Sequence, residues 1–138
     1  MKASLQPGLT LTRRITVDLQ RTVGFMGEDG RVYATPELVR DVEQTCRAMI
    51  LPHLDAGEDS VGVRVEIDHL AATPLDAWVE ITATVVEVDR RRVAFTFEAR
   101  DPIDLVGRGR HVRFVNEVAK SRERVAAKIA KLRAAPAS

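Results

Sequence analysis

The sequence predicts an α+β fold: an antiparallel sheet wrapped around one long central helix, with an additional C-terminal helix. Three observations predict it. One helix-length segment with an apolar stripe follows a single early strand. Four segments that alternate apolar and polar residues come after it. The chain then closes on a second stretch of helical period.

The first strand follows the Pro7-Gly8 turn. Leu9, Leu11, Ile15, Val17 and Leu19 fall on alternate positions with only Arg13 breaking the set, the period of a half-buried strand. A loop carrying Gly24, Gly27 and Gly30 comes next and has no period of its own. Thr35-Pro36-Glu37 reads as a helix start. Threonine caps free N–H groups, proline suits the first helical position, and an early carboxylate suits the dipole. The helix runs to about Leu51, before Pro52, with Val39, Val42, Cys46, Met49 and Ile50 as its stripe.

Val61, Val63, Val65 and Ile67 then alternate with Gly62, Arg64, Glu66 and Asp68. In the next strand Val79, Ile81, Ala83 and Val85 alternate, and the parity changes at Val86 and Val88, as at a bulge. Asp89-Arg90-Arg91-Arg92 turns the chain into Val93, Phe95 and Phe97, and a last strand covers roughly residues 107–115. From about residue 117 to 132, Val118, Val125, Ile129 and Leu132 lie on one side of a second helix. The four later strands can pair as a meander. An up-and-down barrel would not need so apolar a helix, and a ferredoxin-like fold would want its second helix between strands. The arrangement that remains is the hot-dog fold.

A chain of 138 residues has room for one domain, here residues 1–138. Its 45% hydrophobic and 30% charged content is that of a folded protein. A net charge of +1 gives no reason to expect a nucleic-acid partner. The one cysteine, Cys46, cannot close an intramolecular disulfide, which fits a reducing compartment. No apolar run reaches the length of a membrane span, and residues 1–8 lack the core of a signal peptide. A cytoplasmic protein without a membrane partner is expected.

The informative residues are polar ones on faces that should be buried. Glu43 lies four residues after Val39 and three before Cys46, on the stripe. A buried carboxylate is costly unless it is paired or does chemistry. The plain alternative is an ion pair at the stripe's edge with Arg47 or Arg40. His69 has the parity of Val61, Val63, Val65 and Ile67, so it should point at the helix. A lone inward histidine is more often a hydrogen-bonded core residue, but with Glu43 opposite it suggests an acid/base pair. Thr35 is eight residues before Glu43, about 12 Å along a regular helix, and reads first as an N-cap. Cys46 reads as a small core residue. His53 and His111 are isolated, and no spacing supports a metal site, so neither metal nor other cofactor is expected. Gly107-Arg108-Gly109 permits a close backbone approach.

These residues carry a resemblance. Ala34-Thr35, then Glu43, Gly62, His69-Leu70-Ala71-Ala72-Thr73-Pro74, and finally Gly107-Arg108-Gly109-Arg110-His111-Val112-Arg113 occur in the order and spacing of the fluoroacetyl-CoA thioesterase-like hot-dog proteins, which the chain resembles over most of its length. The resemblance implies a catalytic set of Thr35, Glu43 and His69, with Gly62 and Arg113 at the substrate. It implies an acyl-CoA substrate and a homodimer with sites between subunits. Relatives selective for fluoroacetyl groups close the acyl pocket with a phenylalanine lid before the helix. Here Gly27-Glu28-Asp29-Gly30 offers no matching aromatic, although Phe25 and Tyr33 are near. In the implied hydrolysis, Glu43 attacks the thioester or activates water, His69 moves the proton, and Thr35 orients the carboxylate. Two other readings stay open: a hot-dog dehydratase or hydratase on hydroxyacyl or enoyl thioesters, and a non-catalytic acyl-CoA-binding protein.

Overall fold

The computed structural model describes residues 1–136. The chain runs through β1 (Thr10–Thr16), a small hairpin of β2 (Thr22–Val23) and β3 (Val32–Tyr33), and α1 (Thr35–Ile50). It continues through β4 (Glu58–His69), β5 (Trp78–Asp89), β6 (Arg92–Arg100), β7 (Leu105–Glu117) and α2 (Val118–Ala134). The five long strands form one antiparallel sheet in the order β1-β5-β6-β7-β4. The sheet packs its inner face on α1. Val79, Ile81, Ala83 and Val85 of β5 and Val93, Phe95, Phe97 and Ala99 of β6 bury that face against Leu38, Val42, Cys46, Met49 and Ile50. Each such fully buried large side chain contributes roughly 1.5–3 kcal/mol of transfer free energy.

The order of pairing corrects the simple meander. β5, β6 and β7 are consecutive neighbours, but β4 sits beyond β7 at the far edge. Loop length is the reason. Arg90-Arg91 makes a tight turn between β5 and β6, whereas residues 70–77 cross the end of the sheet from β4 to β5. That crossing is fastened as it goes: Tyr33 N–H donates to Thr73 O at 2.8 Å, and Asp76 N–H to Val17 O at 2.8 Å.

Other boundaries shift for local reasons. β1 ends at Thr16, because Asp18 accepts the Arg21 N–H and caps a single 3-10 turn that leaves Leu19 exposed. Leu38 rather than Val39 is the fully buried residue of the first α1 turn, while Val42, Cys46, Met49 and Ile50 are buried as expected. The parity change in β5 is a bulge between Val85 and Glu87. A second bulge, between Gly62 and Arg64 in β4, overturns the inward placement of Val61 and Val63. Before it Ser60 and Gly62 oppose the inward Val115 and Arg113; after it Val65, Ile67 and His69 oppose His111, Gly109 and Gly107. Gly109 allows the expected close approach, since a Cβ there would run into the Glu66 carbonyl and the Phe97 ring at 2.9 Å.

Among the described residues β4 pairs only with β7, which leaves its other edge open, and Val61, Val63, Val65 and nearby Phe114 are exposed there. α2 buries none of its residues, so the apolar set Val118, Val125, Ile129 and Leu132 faces outward. No helix of the described residues is long and apolar enough to cross a membrane.

Candidate active site

Two clusters form on the inner side of β4, one at each end of an α1 segment. The first is Thr35 with His69. Ala34 occupies the N-cap position without a side-chain bond, so Thr35 is the first helical residue and not the cap. Its hydroxyl is free to share a 2.7 Å hydrogen bond with His69 Nδ1. His69 is the last residue of β4 and stands opposite Gly107, whose missing side chain leaves space beside Leu38. The Tyr33 ring meets the imidazole edge-on, with centroids 6.3 Å apart. The other ring nitrogen, Nε2, is buried and has no hydrogen-bond partner among the described residues. Burial pushes the His69 pKa down, and the Ala71 backbone offsets part of this, so the imidazole is held towards its neutral form. The pair forms one wall of an open groove of about 360 Å³, with Val23, Phe25 and Leu70 on the others.

The second cluster lies under Glu43. Its carboxylate is 39% exposed and sits 3.5 Å from Arg113 Nη1. Arg113 itself is buried and otherwise committed. Its Nε donates to Ser60 Oγ at 2.7 Å, Nη2 to Ser60 O at 2.8 Å, and Nη1 to His111 Nε2 at 3.3 Å. His111 Nδ1 lies 2.8 Å from the Arg64 carbonyl. A carbonyl only accepts, so Nδ1 carries the proton and Nε2 is free to accept from Arg113. Burial first, and the Arg113 cation after it, push the His111 pKa down and keep this tautomer neutral. Gly62 completes the cluster: a Cβ there would stand 2.5 Å from Glu43 Oε2.

The structure therefore rearranges the expected contacts. Thr35 bonds His69 and not the Glu43 carboxylate, which eight residues of helix place about 12 Å further along. Glu43 pairs with neither Arg40 nor Arg47. Arg47 instead grips Asp59 through two bonds of 2.9 and 2.7 Å. Gly62 and Arg113 lie beneath the Glu43 carboxylate. Cys46 is fully buried, and burial pushes its thiol up to about 12, so it stays a core thiol. His111 and Ser60 were missed as parts of the site. His111 has the parity of Arg113 on one strand, and that shared face was the available signal. No cluster of three or more His, Cys, Asp or Glu side chains suited to a metal ion occurs among the described residues. Tyr33 is 2% exposed, with its hydroxyl bonded to Asp41, and is not free to swing over the groove.

Comparison with known proteins shows what the chain is similar to. The family model described as fluoroacetyl-CoA-specific thioesterase matches residues 17–119. The fluoroacetyl-CoA thioesterase of Streptantibioticus cattleyicolor is 31% identical over 132 residues, covering 91% of this chain and 95% of that protein. A Thermus thermophilus protein described as a thioesterase superfamily member superposes with a TM-score of 0.86 at 30% identity, over 94% of this chain and 96% of its own. A variant of the fluoroacetyl-CoA-specific thioesterase FlK, crystallised with fluoroacetate and CoA, superposes with a TM-score of 0.78 at 31% identity. That match covers 84% of this chain and 98% of the FlK chain.

Proposed function

Because the chain belongs to the fluoroacetyl-CoA-specific thioesterase family, we propose that it hydrolyses short and medium acyl-CoA thioesters at a site shared between two copies of the chain. The observation that carries this reading is the pairing of Thr35 with His69 at the wall of an open groove, with Nε2 buried and unpartnered. In hydrolysis the attacking group must be activated and the oxyanion stabilised. Glu43 supplies the carboxylate, as nucleophile or as base towards water. His69 moves the proton through Nε2, and Thr35 fixes the imidazole by its bond to Nδ1.

A second copy is what brings the two clusters together. Within one protomer they are separated along both α1 and β4. Pairing of two β4 edges about a twofold axis runs the strands antiparallel and directs each copy's Glu43 towards the other copy's Thr35 and His69. The open edge and the exposed Val61, Val63, Val65 and Phe114 support that interface.

Neither Phe25 nor Tyr33, which line the groove, is fixed over it as a lid. Tyr33 is pinned, and Phe25 is 79% exposed in a loop where Gly27 has φ of 92°. The expected specificity is accordingly broad. CoA release from acetyl-, fluoroacetyl-, butyryl- and hexanoyl-CoA, with Glu43→Ala as control, tests the whole reading. Hydrolysis of several of them by the native protein alone is expected. A preference for fluoroacetyl over acetyl above about a thousandfold, roughly 4 kcal/mol, would overturn the open pocket. Hydration of an enoyl-CoA without CoA release would favour the dehydratase or hydratase, and binding without turnover the non-catalytic protein.

A further inference from the structure

Behind the His69 ring lies a polar network that hydrolysis does not use. Tyr33 donates its hydroxyl to Asp41 Oδ2. Asp41, 5% exposed, is held in turn by Arg21, whose Nε and Nη2 reach its two oxygens at 2.9 and 3.0 Å. The Arg21 carbonyl accepts the Ala34 N–H at 2.8 Å, immediately before Thr35. At its other end Tyr33 donates its N–H to Thr73 O at 2.8 Å, in the segment that leaves His69. The ring between these two fastenings is the one that meets His69 edge-on.

Such a network is a costly way to fill space. Desolvating a carboxylate and a guanidinium cancels most of what their pairing gains, and apolar side chains of similar volume often serve stability as well or better. What the network does provide is direction. A phenylalanine ring could tilt in this pocket, whereas a tyrosine tethered at its hydroxyl and its backbone cannot. The imidazole then has Thr35 on one nitrogen and a fixed ring against its flank, while Nε2 is left buried and without a partner among the described residues.

We infer that Tyr33, clamped by Asp41 and Arg21, is a positioning residue that holds the His69 imidazole in the orientation in which Nδ1 bonds Thr35, and through that bond in one tautomer. The inference rests on the reading of His69 as the proton-transferring group, so its test carries a readout independent of turnover. Tyr33→Phe keeps the ring and removes the tether; Tyr33→Leu removes both. For the Phe variant kcat should fall roughly tenfold with KM unchanged, and for the Leu variant about a hundredfold, since small misplacements of a reacting group cost this much. In parallel, the His69 ring nitrogen shifts in ¹⁵N NMR should move from one tautomer in the native protein to an averaged pair in Tyr33→Phe. Native kcat with native ring shifts in Tyr33→Phe would overturn the proposal. So would a loss of thermal stability and kcat with the ring shifts unchanged, which would make Tyr33 a structural residue only. Full activity of His69→Ala would sink the parent reading, and the NMR result would still decide whether Tyr33 orients the ring.

Discussion

Beneath Glu43, every nitrogen of the Arg113 guanidinium is engaged by Ser60, His111 or the carboxylate itself, and Gly62 leaves no room for even a methyl group. Beside His69 the polar atoms are few, an open groove takes the place of a packed floor, and one ring nitrogen has nothing to bond. The first region is built to hold a charge still; the second is built to receive something. On the mechanism proposed above neither region is a site alone, since the held carboxylate needs a proton carrier and the histidine an attacking group.

The sharpest way to break this comparison is to damage one region in each of two protomers. Glu43→Gln and His69→Ala should each lower turnover on the order of a thousandfold while remaining folded. Refolded together in equal amounts, they should recover about a quarter of the native sites, because half of the dimers then carry one undamaged pair. No recovery on mixing would place both groups in the same protomer's site. A smaller effect is expected from Gly62→Ala. The new methyl meets the tip of a flexible carboxylate, so Glu43 moves and the sheet does not. Turnover should fall roughly ten- to a hundredfold with little change in melting temperature. At the other region, Gly107→Ala meets the Asp68 carbonyl and Leu38 at 3.1 Å, and should lower the melting temperature instead.

The smallest effect is a pH dependence of stability. His111 is held neutral by burial beside Arg113, with a pKa below the ordinary 6.5. The unfolded chain therefore binds this proton more readily than the folded one. The resulting stability is fully present above pH 6.5 and is lost as pH falls towards the folded value. Melting temperatures measured from pH 8 to pH 5 should be flat at first and then decline. A His111→Phe variant that declined just as steeply would show that the Arg113 cluster is not the source.

Much of this was legible beforehand, and the misses have physical causes. The apolar stripe of α1 and the alternation in β5 and β6 are properties of single elements, and both formed as expected, including the bulge at Val86. Glu43 and His69 stood out because each breaks such a pattern. Thr35 was misread because N-cap chemistry looks the same whether or not the hydroxyl is used, and here the backbone turn begins one residue earlier, at Ala34. The place of β4 in the sheet depends on a crossing loop that periodicity does not describe. The Arg113 network was invisible for a similar reason: Ser60, His111 and Glu43 come from three elements and meet only in the folded chain.

The bulge at Val63 has a consequence for how this chain can change in length. Gly62 and His69 are seven positions apart, and in a regular strand an odd separation puts two residues on opposite faces. Both face α1 here only because Val63 is an extra residue with no partner across the ladder. Losing Val63 would straighten the strand and keep both residues facing inward. Losing any single residue from 64 to 68 with the bulge retained would turn His69 out to solvent. Substitution along this stretch is therefore a matter of degree, whereas a gain or loss of one codon is all or nothing, and Val63 is the one place in it where relatives can differ in length and keep the site.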